Sequence, residues 1–448
     1  METPVYNKLI SYKNKNRIPF AMPGHKNMRN LPTDLISCDF TELSDTADLH
    51  YGDESTNRAN DLLSRLYNTK QSFILVSGST TCIQVMLSSV LNPGDTLLTF
   101  SDCHMSVINT CAICGFKLKI APMNYNEEFM IPAAEADFKL TPDIKAVLIT
   151  SPNYYGITKN IELISRKCKK SNIPLLVDEA HGAHFIASEH LPESAVNSGA
   201  DMVCHSAHKT LNALTGAAYL HICSDSINIS RVKKSIMTFE TSSPSYPIAA
   251  SADIARATLQ ESNYEDIIKE CNDFKSAITV KTKIKVLTDN DPTRIVLSFS
   301  HYKVTGFDIL EKLSSYYGID VEMADMTNIV LIATTANTHS DFISLFHSLC
   351  EITNTLVEET KPKQFLPPPP NALTLSPSEG WFANTEKVSL TKAVGRISAT
   401  VVTAYPPGCA IIVTGEKITE EKTDYINLLK KQNAKITGIE EDKIEVVI

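Results

Sequence analysis

Residues 174–178 are Pro-Leu-Leu-Val-Asp, and residues 202–210 are Met-Val-Cys-His-Ser-Ala-His-Lys-Thr. Each stretch begins with a short, largely apolar run and ends on polar side chains. Strands that are buried on both faces have this pattern, whereas strands with one wet face alternate apolar and polar residues. Similar runs occur at 73–76, 97–100, 146–150 and 218–223, separated by longer mixed segments. The pattern predicts an α/β fold with an open, mostly parallel sheet covered by helices.

The composition of the 448-residue chain excludes several classes of protein. Apolar residues make up 43% and charged residues 21%, which excludes disorder of the whole chain. The net charge of −9 argues against nucleic acid or an anionic membrane as a partner. No apolar run reaches the ~18–20 residues of a membrane span, and no signal peptide is visible. The 11 scattered cysteines, an odd number, favour a reducing cytoplasm over a disulfide framework.

The positions of the 16 glycines exclude three common motifs. No glycines have the spacing of G-x-G-x-x-G, G-x-x-x-x-G-K or G-x-S-x-G. A dinucleotide-binding turn, a Walker A loop and a hydrolase nucleophile elbow are therefore not expected.

The length predicts two or three domains, since one core rarely exceeds ~250–300 residues. The predicted order is a large domain (1–246), a smaller α+β domain (247–360), a linker (361–371) and a C-terminal α+β domain (372–448). Four consecutive prolines make the linker stiff. In the smaller domain we expect strands near 294–299 and 328–333 and helices near 307–317 and 341–357. Thr419 is a plausible N-cap of a helix in the last domain.

Two polar residues follow predicted strands at their carboxyl ends, the edge where open α/β sheets bind ligands. Lys209 lies just beyond the strand at 202–205, and Asp178 ends the strand at 174–178. One chemistry uses both residues. A lysine amine forms a Schiff base with pyridoxal phosphate, and an aspartate keeps the pyridine nitrogen protonated so that the ring accepts electrons. An ordinary loop lysine and a helix-capping aspartate are the alternatives.

Two further strand ends carry groups that suit the same cofactor. Ser79 and Thr80 stand where the strand at 73–76 turns into a predicted helix, and N–H groups with hydroxyls there form an anion site. His104 follows the strand at 97–100, where a flat imidazole can stack on the cofactor ring. Taken alone, a capping turn explains the first feature and a structural histidine the second. Four such strand ends at one sheet edge together favour a site.

Several motifs resemble those of the Orn/Lys/Arg decarboxylases, which are pyridoxal-phosphate enzymes of fold type I, the aspartate-aminotransferase fold. The similar segments are Ala-Met-Pro-Gly-His-Lys (21–26), Ser-Asp-Cys-His (101–104), Ser-Pro-Asn-Tyr-Tyr-Gly (151–156), Asp-Glu-Ala-His-Gly-Ala-His (178–184), Ser-Ala-His-Lys-Thr (206–210), Ser-Pro-Ser-Tyr (243–246), Gly-Arg-Ile-Ser-Ala (395–399), Tyr-Pro-Pro-Gly (405–408) and Gly-Glu (415–416). They occur in the family's order and extend over nearly the whole chain.

The resemblance implies roles for individual residues. Lys209 would carry the cofactor, Asp178 would pair with its ring nitrogen, and His104 would stack on the ring. The implied neighbours of the cofactor are His181 and the phosphate ligands Ser79, Thr80, Ser206 and His208, with Thr241 or Ser242 reaching in from a second subunit. The implied substrate contacts are His25, Lys26, Arg396 and Glu416.

The resemblance also implies a homodimer with active sites at the subunit interface, and the short form of the family without an N-terminal wing domain. The implied reaction is decarboxylation of lysine, ornithine or arginine, as in polyamine biosynthesis or acid resistance. Two positions depart from the family pattern. Gly216 stands near where a glutamine is usual, and the phosphate turn begins Ser77-Gly78 rather than Asn-Gly. Neither change removes a catalytic group.

Three other functions remain compatible with these residues. Transamination or β-elimination would use the same cofactor, and a degenerate homologue would keep the fold and regulate a partner. The cluster of Asp178, Glu179, His181 and His184 offers metal-ligand types, but strand geometry would point the two histidines to opposite faces. No metal is expected for this reason. Cys111 and Cys114 form a lone C-x-x-C, which a buried helical turn explains better.

Overall fold

A computed structural model describes residues 13–15, 17–26, 28, 31–42, 46–134, 138–362, 367–404, 409–432 and 434–448. The strands in this part, in chain order, are β1 (Ile18–Phe20), β2 (Gln71–Leu75), β3 (Thr96–Phe100), β4 (Lys117–Ala121), β5 (Tyr125–Asn126), β6 (Ile131–Pro132), β7 (Ile144–Thr150), β8 (Leu175–Asp178), β9 (Met202–His205), β10 (Ala218–Ile222), β11 (Lys285–Val286), β12 (Arg294–Ser298), β13 (Ile319–Val321), β14 (Met323–Ala324), β15 (Asn328–Ile332), β16 (Thr385–Ser389), β17 (Val402–Ala404), β18 (Ala410–Ile412), β19 (Ile436–Thr437) and β20 (Lys443–Val447).

The α-helices of the described part, in chain order, are α1 (Glu54–Leu66), α2 (Gly78–Val90), α3 (Met105–Cys114), α4 (Ile161–Lys170), α5 (Ala207–Thr210), α6 (Ile229–Phe239), α7 (Tyr246–Glu261), α8 (Tyr264–Lys281), α9 (Gly306–Tyr317), α10 (His339–Asn354), α11 (Pro377–Phe382), α12 (Leu390–Ala393) and α13 (Glu420–Lys431). Short 3-10 helices cover Leu35–Cys38 and Phe185–Ala187. Among these helices, none combines the length and the apolar character that a bilayer crossing requires.

The central sheet has seven strands in the order β2-β10-β9-β8-β7-β3-β4. The pairs from β9 to β4 are parallel, and β10 is antiparallel to both of its neighbours. The predicted mostly parallel sheet is confirmed, and all six predicted strands belong to it. The sequence did not reveal β4, because Lys117 and Lys119 alternate with apolar residues on this edge strand and no apolar run forms.

Successive residues of the sheet strands enter two different cores, which is why these strands are apolar throughout. In β7, Val147 and Ile149 belong to one cluster of buried side chains, and Ala146 and Leu148 belong to the other. The second cluster also holds the apolar faces of α2, α3 and α6, while the first holds those of α1, α4, α7 and α8. Each buried Val or Leu side chain stabilises the fold by about 1.5–3 kcal/mol, so the sheet is fixed from both sides.

The smaller domain is built on a four-stranded antiparallel sheet, β11-β12-β15-β14. The strands and helices expected there are confirmed with shifts of one to three residues at their ends. The domain boundaries at 246 and 360 stay predictions. The strand β1 does not follow the grouping that they imply. β1 pairs with β13, so residues 18–20 lie beside the smaller domain rather than in the central sheet.

The C-terminal domain combines the antiparallel pair β16-β20 with the sheet β18-β17-β19 and the helix α13. Thr419 caps α13 by accepting from the backbone N–H of Lys422, which confirms the predicted N-cap. Ile412, Ile426 and Ile444 belong to the core of this domain. In the predicted linker, Pro367–Pro370 contribute to the wall of a cavity, so this part is more than a spacer. Residues 363–366 and the Tyr-Pro-Pro-Gly motif at 405–408 lie outside the described residues.

Candidate active site

A cavity of about 540 Å³ opens at the carboxyl ends of the central strands. Its wall brings together five of the residues that the sequence predicted for the site, namely Ser79, His104, Asp178, His181 and Lys209. Four of them lie at or just after the ends of three strands, β2, β3 and β8, and Lys209 belongs to the short helix α5 after β9. The cavity continues past the smaller domain to Tyr425 of the C-terminal domain. The structure brings these five side chains together at one edge of the sheet, and their functional roles stay predictions.

Lys209 lies on the wall of the cavity because α5 begins directly after β9 and ends after one turn. The Nζ atom of Lys209 is 3.1 Å from Nε2 of His181 and 5.8 Å from the centre of the Tyr154 ring. Burial lowers the pKa of Lys209, against the opposing attraction of Asp178. A lower pKa increases the fraction of neutral amine, which is the form that attacks a carbonyl carbon.

His181 lies between Arg294 and Lys209, and the bond to Arg294 fixes the position of its ring proton. Nη2 of Arg294 is 3.1 Å from Nδ1 of His181, and a guanidinium can only donate. Nδ1 therefore accepts, and Nε2 carries the ring proton toward Lys209. Burial, together with the charges of Lys209 and Arg294, lowers the pKa of His181 well below its usual value, so the ring stays neutral.

Asp178 ends β8 and is only 3% exposed. Its Oδ1 atom accepts from the backbone N–H of Ala180 at 3.1 Å and from the Cys204 thiol at 3.5 Å. Within the described part of the chain it forms no ion pair. A buried carboxylate without a cation is costly, and a protonated ring nitrogen would neutralise it.

His104 is held with its ring on the cavity wall by the start of α3. Its Nδ1 atom accepts from the backbone N–H of Ser106 at 3.2 Å and lies 2.8 Å from the hydroxyl of the same residue. Burial lowers the pKa of His104, and the charge of Lys209 lowers it further against the attraction of Asp178. A neutral imidazole fixed in this way is suited to stack on an aromatic ring.

The turn before α2 offers donors for an anion. The Ser206 hydroxyl donates to Ser79 Oγ at 2.7 Å, next to the N-terminus of α2. Gly78 has a φ of +80°, and its N–H bonds to the carbonyl of Gly216 at 2.8 Å. Gly216 itself has a φ of +102°, and a Cβ there would lie 2.8 Å from the carbonyl oxygen of Val76. A glycine at this departure from the family pattern therefore shapes the turn.

Two predicted phosphate ligands lie less directly at the turn. Thr80 is exposed and does not line the cavity. Nδ1 of His208 is 3.1 Å from the carbonyl of Ala217, and burial lowers the pKa of His208 to about 4. Thr241 and Ser242 are exposed on this chain. Their predicted contribution to a second subunit stays a prediction.

The four predicted substrate contacts lie off the cavity wall. His25 is buried and accepts from the Met28 backbone, and Lys26 Nζ donates to the carbonyls of Ala21 and Ile332. Glu416 pairs with Lys422 at 2.6 Å, and Arg396 pairs with Glu386 at 2.7 Å. These contacts favour structural roles over the substrate roles expected from the sequence, and any substrate role stays a prediction.

Sequence reasoning missed three side chains of the site. Arg294, 1% exposed, contacts His181 but belongs to the smaller domain. The rings of Tyr154 and His181 contact each other at an angle of 60° with their centres 4.5 Å apart, and Asp325 lines the cavity. A charged residue that opens an otherwise apolar strand was the available signal for Arg294. The two histidines of the metal alternative have separate partners, since His184 pairs with Asp291 at 3.1 Å.

The residues present fit pyridoxal phosphate, as their chemistry supplies each of its needs. A lysine biased to the neutral amine, a buried carboxylate without a cation, and hydroxyls at a helix N-terminus line one cavity. Lys209, Asp178, Ser79 and Ser206 would hold the group.

The architecture places the chain in a class. It matches the constitutive lysine decarboxylase of E. coli with a TM-score of 0.77 at 16% identity, over 100% of this chain and 82% of that one. The lysine decarboxylase LdcF of Francisella novicida gives 0.76 at 19%, over 99% and 81%. The alanine-glyoxylate aminotransferase of Nostoc sp. gives 0.58 at 13%, over 75% and 95%. The fold is that of the fold type I pyridoxal-phosphate enzymes, as predicted.

Family models and relatives narrow the class. The model described as Orn/Lys/Arg decarboxylase, major domain, matches residues 3–305, and the C-terminal domain of the same family matches 379–445. The chain belongs to the Orn/Lys/Arg decarboxylase family and is a decarboxylase, which confirms the predicted family. The uncharacterized protein YaaO of Bacillus subtilis is 32% identical over 98% of this chain and 96% of its own length. The arginine decarboxylase of Halalkalibacterium halodurans is 29% identical over 98% and 96%.

Proposed function

We propose that this chain decarboxylates a basic amino acid, namely lysine, ornithine or arginine, with pyridoxal phosphate as cofactor. The observation that carries the proposal is the meeting of Lys209 and Asp178 in one cavity. Relatives named arginine decarboxylase at 29% identity support the substrate class. Bound in this cavity, the cofactor would supply a sink for the electron pair left behind when carbon dioxide departs.

The residues of the cavity then have separate tasks. Lys209 Nζ would hold the cofactor covalently. Asp178 would keep a proton on the ring nitrogen, since a contact of opposite charges favours the protonated form by about 1–3 pKa units. Ser79, whose hydroxyl oxygen accepts from Ser206, would donate to the phosphate. His104 would pack on one face of the ring and help to orient the substrate.

A proton has to reach the substrate Cα after carbon dioxide leaves. Two nitrogen atoms that lie 3.1 Å apart at the cavity are candidates, Lys209 Nζ and His181 Nε2. Lys209 balances the step, because its ammonium form gives a proton to Cα and becomes a neutral amine. Because Arg294 donates to Nδ1 of His181, the Nε2–H group of the neutral ring can then donate a hydrogen bond to that amine. This arrangement gives the chain a proton donor on the wall of the cavity without an external water molecule.

The homodimer and the cytoplasmic location are also proposals. The exposed positions of Thr241 and Ser242 are compatible with a contact to a second subunit, and all 11 cysteines are free, as in a reducing compartment. Mixing Lys209→Ala subunits with Thr241→Ala/Ser242→Ala subunits tests the shared site. Partial activity in the mixture, from two parents of low activity, supports it. Mixtures no more active than the parents speak against it.

The central test is chemical labelling of Lys209. Borohydride reduction of the cofactor-loaded protein should leave a pyridoxyl mass on the peptide that carries Lys209, and carbon dioxide should be released from at least one basic amino acid. Lys209→Ala should lose both, while Lys233→Ala, which removes an exposed lysine of α6, should lose neither. Absence of label and of carbon dioxide in the wild type would overturn the proposal. Formation of an oxo acid instead of an amine would favour transamination.

A further inference from the structure

The part of the cavity that lies away from Lys209 contains a carboxylate whose charge is not balanced. Three aspartates line the cavity, Asp102, Asp178 and Asp325. Asp102 is neutralised by Lys159 at 2.5 Å, and Asp178 has a partner in the proposed cofactor. Asp325 has no ion pair within the described part of the chain. Lys435, a cation on the same wall, is exposed and does not pair with it.

The position of Asp325 is fixed by neutral donors. Its Oδ1 atom accepts from the backbone N–H groups of Thr327 at 2.8 Å and Asn328 at 2.7 Å. Its Oδ2 atom accepts from the Tyr155 hydroxyl at 2.8 Å. These bonds hold the carboxylate in place between β14 and β15 without cancelling its charge. Burial raises the pKa of Asp325, as expected for an anion that lacks a cation.

Apolar side chains surround this carboxylate on the cavity wall. Phe307, Leu310 and Met326 line the cavity from the smaller domain, and Tyr425 and Leu428 line it from the C-terminal domain. Such a wall suits a methylene chain with a charged end. Tyr154 lies 5.8 Å from Lys209 Nζ, and the next residue, Tyr155, bonds to Asp325, so two adjacent tyrosines connect the two parts of the cavity.

We propose that Asp325 binds the distal cationic group of the substrate, an ammonium or a guanidinium, while its methylene chain packs on the apolar wall. This inference rests on the proposed function and names the residue that selects a basic amino acid. An ordered carboxylate in a cavity binds such a group by a charge-assisted hydrogen bond. A neutral amino acid of the same length would leave the carboxylate buried and unpaired, and would be rejected.

The test compares ligands that differ only in the distal charge. Calorimetry on the full-length, cofactor-loaded protein measures the binding of 1,5-diaminopentane, (4-aminobutyl)guanidine and 1-aminopentane. All three ligands carry one ammonium group, and the first two carry a second cationic group at the distal end. We expect one of these two to bind about 10- to 100-fold more tightly than 1-aminopentane, as is typical of hydrogen bonds to charged groups. Asp325→Asn should abolish most of this preference and raise KM for the basic substrate by a similar factor, with kcat little changed.

A matched control is Asp201→Asn. Asp201 is a buried aspartate that, like Asp325, accepts from a backbone N–H, that of Leu175 at 2.8 Å, but it lies at the opposite end of the strands from the cavity. This variant should keep the preference for the ligand with a second cationic group. If Asp325→Asn kept it as well, the inference would be wrong, even if the wild type released carbon dioxide. If the wild type released none, the proposed function would fail while the binding comparison still decided the role of Asp325.

A measurement on the wild type covers the case in which Asp325→Asn does not fold. A water-soluble carbodiimide couples a bound amine to the carboxylate beside it, and peptide mass spectrometry locates the bond. With 1,5-diaminopentane, we expect the peptide that carries Asp325 to be modified, and 1-aminopentane in excess should not produce the same modification there. Coupling confined to the peptides with Asp102 or Asp178 would overturn the inference.

Discussion

Asp178 and Glu179, adjacent at the end of β8, belong to two buried polar regions of opposite character. Glu179 accepts from the Ser194 hydroxyl, from the Ala195 backbone at 2.8 Å and from His205 Nε2 at 2.7 Å. From Glu179 a continuous series of hydrogen-bonded side chains leads away from the cavity. His205 Nδ1 lies 3.1 Å from His221 Nε2, and His221 Nδ1 lies 2.8 Å from the Ser72 hydroxyl. Each polar side chain in this series has a hydrogen-bonding partner.

The region around Asp178 has spare hydrogen-bonding capacity instead. Asp102 Oδ1, the Thr150 hydroxyl, and Nε and Nη1 of Arg294 are buried without a partner among the described residues. Buried polar groups are nearly always bonded, because a missing partner costs about 1–3 kcal/mol. We infer that the fully hydrogen-bonded series around Glu179 stabilises the fold. The unpartnered polar atoms around Asp178 instead indicate that a ligand completes that region. Substitutions on the two sides should therefore act on different quantities.

The largest effect on kcat is expected for Asp178→Asn, whereas a substitution of its neighbour Glu179 should leave kcat nearly unchanged. The amide keeps the size of the side chain but cannot hold a proton on a ring nitrogen. We expect kcat to fall by about 10- to 10³-fold, corresponding to about 1–3 pKa units of lost stabilisation of the protonated ring. The cofactor should remain bound, as its absorbance in the purified variant would show. Unchanged kcat would mean that the assignment of Asp178 is wrong.

Glu179→Gln is the matched change in the fully hydrogen-bonded series. It replaces a charge-assisted acceptor of three donors by a neutral amide, so we expect the free energy of unfolding to fall by about 1–3 kcal/mol. Activity per folded molecule should be nearly unchanged. Denaturant titration and active-site counting separate the two effects. A loss of kcat as large as that of Asp178→Asn would remove the distinction between the regions.

The next effect in size concerns Arg294 and the pH dependence of Lys209. The charge of Arg294 lowers the pKa of Lys209 and of His181. Of the other charged groups around Lys209, Asp178 and Glu322 raise its pKa. In Arg294→Met the pKa of Lys209 should rise, so the neutral amine appears only at higher pH. Amine-selective labelling of the cofactor-free protein, with peptide mass spectrometry across pH, measures this shift.

A higher pKa of Lys209 lowers the fraction of neutral amine, so cofactor loading at a fixed pH should slow in Arg294→Met. Arg294→Lys keeps the charge and should restore most of the original pH dependence. A purely structural role for Arg294 would lower stability in both variants and leave the labelling profile in place. That result would contradict the effect of the Arg294 charge on the pKa of Lys209.

The sequence predicted the residues around Asp178 only where a local sequence pattern indicates them. Lys209, Asp178 and His104 each follow an apolar strand, and strand ends of a parallel sheet meet at one edge, so their convergence could be expected. Arg294 and Asp325 act across long separations, 113 residues to His181 and 170 to Tyr155. Their contacts depend on how the smaller domain packs, which no local pattern encodes.

The same limit of sequence patterns explains why some predicted substrate contacts do not line the cavity. Lys26 and Glu416 belong to motifs of the family, but a motif does not say whether a residue serves chemistry or folding. The structure surrounds Lys26 with carbonyl oxygens and joins Glu416 to Lys422. The strand β4 was missed for a related reason. It lies at the edge of the sheet and carries lysines on one face, so it has no continuous apolar run.

The smallest effect is expected at Arg396, which the sequence suggested for the substrate. Its Nη2 atom bonds to Glu386 at 2.7 Å and to the carbonyl of Val447 at 2.8 Å, beside the β16-β20 pair and off the cavity wall. A partly exposed ion pair of this kind contributes about 0–1 kcal/mol. Arg396→Ala should therefore change kcat and KM for a basic substrate by less than about twofold, as for most surface substitutions. A tenfold rise in KM at unchanged stability would instead mean that Arg396 reaches a substrate, and the functional region would extend beyond the cavity of this chain.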